Sequence, residues 1–126
     1  MNARNICLIY GLAFFLVGIL GFIHNPIISV IGVFQTNAVH NMIHIGLGGA
    51  FIAGALKFPA KATMVLKMLG VGGIAVAIFG GITGGNLMLG IIHVNEADHW
   101  LHLGLGFAVL GSGFVLPNRT VERQWA

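Results

Sequence analysis

The chain is 126 residues long, 57% apolar and 7% charged, with 20 glycines and a formal net charge of +3. Soluble domains carry roughly a quarter charged residues, so six Lys or Arg and three Asp or Glu exclude an ordinary water-soluble fold and assign most of this chain to lipid. Scattered through apolar runs, the basic residues read as topology signals, which excludes nucleic acid as a partner, and Cys7, the one cysteine, excludes an internal disulfide or a Cys-x-x-Cys site.

A first apolar stretch covers residues 5–23. Arg4 ahead of it resembles the start of a secretory signal, but no small-x-small cleavage site follows, and the stretch is read as a retained helix. His24-Asn25-Pro26 ends it, and residues 27–34 read as a short interfacial segment. A second span is expected over 37–56, followed by the connection Lys57-Phe58-Pro59-Ala60-Lys61 and a third span over 62–82. Gly84-Gly85-Asn86 ends the third, a second interfacial segment covers 87–92, and a fourth span runs over 98–116. The expected fold is therefore all-α: one domain over residues 1–126, built as a four-helix polytopic membrane bundle. With four crossings, Arg4, Lys57, Lys61, Lys67, Arg119 and Arg123 all fall on one side. The positive-inside rule makes that side cytoplasmic, with both termini in the cytoplasm.

An internal repeat divides the chain into residues 1–58 and 59–126. Asn37-Ala-Val-His40-Asn41-Met-Ile-His44-Ile-Gly46-Leu-Gly48 aligns without gaps on Asn95-Glu-Ala-Asp98-His99-Trp-Leu-His102-Leu-Gly104-Leu-Gly106, 58 positions later. Equivalent helices run in the same direction, so the halves are expected to be parallel-repeat hairpins about a pseudo-two-fold axis along the membrane normal.

The repeated motif carries the candidate chemistry. At about 100° per residue, positions 37, 40, 41, 44 and 48 fall within roughly a 100° arc of one helix face, as do their counterparts. Polar faces are costly against lipid and should meet inside the bundle. Asn37 and Asn95 suit helix N-caps, and Glu96 suits an exposed first turn. His44 and His102 then lie roughly 10 Å into their helices, near the outer face but below the headgroups.

Three readings are open. His40 and His44 on one helix, with Asp98 and His102 on the other, supply three nitrogens and a carboxylate for zinc or copper, with Asn37, Asn41, Asn95 and His99 as orienting neighbours. A haem b variant uses only His44 and His102 as axial ligands, with Gly48 and Gly106 leaving room for the macrocycle. The second reading is interhelical hydrogen bonding that fixes register in an accessory or assembly subunit of a larger membrane complex. The third is ion or proton transport, although residues 50–56 and 108–116 hold no ionisable group. His24 and His93 on the outer connections are candidate lid donors. A stripe of small residues, Gly46, Ala50 and Gly54 with Gly104, Ala108 and Ser112, predicts a close helix contact within the chain or in a homo-oligomer. Ser29 and Ser112 lack a His-plus-acid arrangement, and the glycines at 80–85 lack the Lys-Ser/Thr ending of a P-loop. Nothing here calls for an enzyme.

Through the paired motifs Asn37-x-x-His40-Asn41-x-x-His44 and Asn95-x-x-Asp98-His99-x-x-His102, the chain resembles a family of small four-helix bacterial integral membrane proteins of unknown function. The resemblance implies the four-helix membrane fold and no activity. His99 departs from it, standing where a less basic residue is expected.

Overall fold

Helices begin where a side chain can satisfy their first unpaired N–H groups, and in the computed structural model, which describes residues 1–84 and 87–118, asparagine does this four times. Asn2 accepts from Asn5 N–H (3.0 Å) and opens α1 (Ala3–Leu20). Asn37 accepts from His40 N–H (3.0 Å) at α2 (Ala38–Lys57), and Asn95 from Asp98 N–H (3.2 Å) at α4 (Glu96–Val115). The third helix, α3 (Ala62–Thr83), follows a 3-10 turn at Pro59–Lys61 and has no local cap. Asn118, from beyond α4, accepts from Thr63 N–H (3.0 Å) instead.

The expected helices are present, with shifted ends. The first stops at Leu20 and not at residue 23, because Asn25 turns back and donates to the carbonyls of Leu20 (3.1 Å) and Ile23 (2.6 Å). Each interfacial segment folds into a pair of two-residue strands. β1 (Ile28–Ser29) pairs in parallel with β2 (Phe34–Gln35), whereas β3 (Leu87–Met88) pairs antiparallel with β4 (Ile92–His93). The second pair turns through Leu89 and Gly90, both at positive φ (54° and 74°), the left-handed conformation that glycine adopts without penalty. Gly85, Asn86, Arg119 and Arg123, to which the sequence reading assigned a helix break and positive charges, lie outside the described residues.

α1 packs along α2 and α3 along α4, each pair as an antiparallel hairpin. The approach is closest at glycine. A Cβ on Gly48 would sit 2.5 Å from Phe15 N, and one on Gly106 would sit 2.8 Å from Ile74 N, so backbone occupies the space a side chain would need. That overturns the room assigned to a haem macrocycle at these two positions: helix backbone already fills it. The small-residue stripe behaves differently. A Cβ on Gly46, Gly54 or Gly104 would meet nothing within 4 Å, and Ala50 and Ala108 are exposed. The stripe therefore makes no close helix contact among the described residues, because the hairpin seams run through Gly48 and Gly106 on another face of each helix.

The two hairpins meet tightly at the end that carries Ala3 and Pro117, where Ala3, Cys7, Ala55, Ala62, Leu66 and Val109 form a core of mostly small side chains. Ala3 N–H donates there to Pro117 C=O (2.9 Å). Toward the strand-bearing end the hairpins diverge around an apolar cavity of about 500 Å³. Three helices, α1, α2 and α3 with the Pro59 turn, are long and apolar enough to cross a membrane. α4 has 20 residues but begins with Glu96, Asp98, His99 and His102, which lowers its hydropathy below that of the other three.

Candidate metal centre

Where the cavity meets the strand-bearing end, His40 and His44 from α2 converge with His102 from α4. One ligating nitrogen from each ring lies within 4.8 Å of the others. The i, i+4 spacing stacks the first two rings on one helix face, with centroids 4.8 Å apart, and His102 approaches from the opposite hairpin at 6.0 Å from both.

Backbone carbonyls orient two of the rings. His40 Nδ1–H donates to His93 C=O (2.7 Å), and His102 Nδ1–H donates to Asp98 C=O (2.7 Å). A proton held on Nδ1 leaves the Nε2 lone pair available, which is how ligating histidines are commonly fixed. His40 Nε2 lies 3.1 Å from His44 Nε2. Neighbouring nitrogens around a tetrahedral zinc with bonds of 2.0–2.1 Å are about 3.3 Å apart, so this separation matches an edge of such a site. The same distance also suits a direct hydrogen bond between the rings. His44 packs against Phe14 at 5.1 Å between centroids, and its Nδ1 is buried with no hydrogen-bond partner among the described residues.

The remaining expected site residues are not part of this group. Asp98 is buried, at 3% exposure, but its carboxylate accepts from Asn95 N–H (3.3 Å) and completes a capping box, and it does not join the imidazole group. The three histidines of the expected set thus converge without the acid. Asn41 faces Gly21, and His99 lies over Gly80, so both sit in hairpin seams and not beside the imidazoles. Asn41 lies about 100° around α2 from His40, and His99 about 100° around α4 from Asp98, enough to turn both toward the partner helix of their own hairpin.

Asn37 and Asn95 do more than cap. Asn37 Nδ2 donates to Ile91 C=O and Asn95 Nδ2 donates to Val33 C=O, both at 2.8 Å. Each cap thereby ties its helix to the strand segment of the other hairpin. Gln35 Oε1 and His93 Nε2 pair at 3.1 Å above the cluster. Sequence reasoning missed Phe14, Gln35 and the orienting carbonyl of His93. A signal for the pair existed: Gln35 and His93 are 58 positions apart, the interval of the repeat, and both are polar in apolar surroundings.

A helical chain with membrane-length spans and a three-histidine cluster beneath a strand cap defines the class. Within it, this chain belongs to the family described as a domain of unknown function, DUF4383, whose model matches residues 4–115. No curated protein and no solved structure matches the chain.

Proposed function

We propose that the protein is a four-span membrane protein that binds one transition-metal ion, zinc or copper, through His40, His44 and His102. The observation that carries this reading is the convergence of three imidazoles, two with Nδ1–H already bonded to backbone carbonyls. Ligating histidines are commonly held in this way, with Nδ1–H bonded to a carbonyl and Nε2 left free for the ion. Asp98 serves as a capping residue close to the site and not as the fourth ligand.

The α4 segment crosses the bilayer in this reading. Its 20 residues span about 30 Å, the thickness of the hydrocarbon core, and of its polar first turns Asp98 is buried and His102 joins the central cluster. The cap faces outward and the termini face the cytoplasm, following the placement of Arg4, Lys57, Lys61 and Lys67. The hairpins are related by a pseudo-two-fold axis along the membrane normal. Support for the axis comes from the reciprocal Asn37–Ile91 and Asn95–Val33 bonds, whose four members are pairwise 58 positions apart, and from His44 facing its repeat counterpart His102.

A second reading has its own observation. The 3.1 Å separation of His40 Nε2 and His44 Nε2 also fits a metal-free hydrogen bond, in which case the cluster fixes helix register within a larger complex. The two separate on protein purified in mild detergent without added metal or chelator. Metal binding predicts about one equivalent of zinc or copper by elemental analysis, lost in both His44→Ala and His102→Ala. A metal-free, stably folded wild type whose variants lose only thermal stability overturns it in favour of the register role.

A further inference from the structure

We propose that the cavity beneath the histidines holds the acyl chain of a long-chain carboxylate, whose head group supplies the fourth ligand to the bound metal. This rests on the metal-binding reading above. The cavity, about 500 Å³, falls within the range of small-molecule sites. Among its lining residues only His40, His44 and His102 are polar, and Phe14, Leu47 and Phe51 face Leu69 and Val76 from the other hairpin. A guest that satisfies such a wall is apolar along its body and polar at one end.

Length and charge narrow the choice. From His40 to Phe51 is eleven residues of α2, about 16 Å at 1.5 Å per residue, close to the depth of one leaflet, about 15 Å. A divalent ion on three neutral imidazoles keeps its two positive charges in a low-dielectric site, and the nearest acid, Asp98, is held in its capping box. Buried charge of that kind calls for an anionic ligand, and carboxylate oxygen is an ordinary ligand of zinc. Above the cluster the crossed bonds of Asn37, Asn95, Gln35 and His93 close the cap.

The test titrates palmitate and methyl palmitate, which share a chain and differ in the head, into detergent-purified wild type carrying one equivalent of zinc. The acid should bind at least about tenfold more tightly, the scale of a lost contact to a charged group. In Gly72→Leu, where a new side chain enters open space at the cavity wall, palmitate binding should be lost while zinc is retained. Zinc retained with equal binding of acid and ester, or undiminished palmitate binding in Gly72→Leu, overturns the proposal and leaves the metal reading intact. A wild type that holds no zinc overturns the metal reading, and the carboxylate proposal with it.

Discussion

At the start of α2 the chain places His40, Asn41 and His44, and at the start of α4 the equivalent positions hold Asp98, His99 and His102. The backbones around them are treated alike: an asparagine cap, a seam glycine two turns on, and a cap side chain reaching the other hairpin. The side chains are not. The first hairpin sends two rings into the centre, and the second sends one ring and keeps its acid for its own helix terminus. Two similar helix starts thus share one central cluster among the described residues and do not carry two matched sites, so likeness between the two motifs follows the backbone more closely than the chemistry.

The comparison breaks most visibly at the seams. Gly48→Leu and Gly106→Leu should each destabilise the protein by about 3 kcal/mol or more, the upper range for overpacking a close contact, because the new Cβ meets backbone and not a side chain that can move. Gly46→Leu, on the open stripe, should leave stability unchanged in a monomer. Denaturant unfolding in detergent compares the three, and tolerance of leucine at only one seam would show that the hairpins are not built alike. A loss of self-association in Gly46→Leu, read by sedimentation, would assign the stripe to a contact between copies.

The caps come next. Asn37→Ala and Asn95→Ala each remove an N-cap bond and a bond to the opposite segment, together about 2 kcal/mol, and Asn95→Ala also removes a long bond from Gln35 N–H (3.4 Å). Equal losses in thermal unfolding support equivalence of the halves. A much larger loss at Asn37 would single out the first half, where the cap also holds the helix that presents two rings.

A smaller effect decides the role of the acid. Asp98→Ala removes the side chain that accepts from Asn95 N–H and should cost about 1 kcal/mol as a lost capping box, with the metal content of the protein unchanged. Loss of metal in a folded Asp98→Ala protein would return the carboxylate to the ligand set.

Much of this architecture was legible in advance. Length, hydropathy and the glycine and proline breaks were enough for the helices and their order, and the asparagines at the helix starts were enough for the caps. Convergence of His40, His44 and His102 followed from helical spacing plus the cost of polar groups in lipid. What failed was angular. A 100° arc on one helix is wide enough to face two neighbours, so Asn41 and His99 turned into the hairpin seams while His40 and His44 turned inward. Asp98 stands apart from the three rings because a carboxylate three residues after an Asn cap has a local partner in the backbone. The strand pairs were not legible, since two residues are too few to show a period.

The smallest expected effect is the sharpest test of which differences between the halves matter. His99→Asn gives the second half the residue found at position 41. His99 lies over Gly80 as Asn41 lies over Gly21, so the smaller amide should fit in the same seam. Neither residue belongs to the imidazole cluster, and the substitution should shift stability by less than about 1 kcal/mol and leave metal content as it was. Retained metal with near-normal unfolding would confine the chemistry of this protein to the three central rings. Loss of metal without loss of fold would mean that the seam and the centre are coupled, and that His99, the departure in the second motif, contributes to the site from a distance.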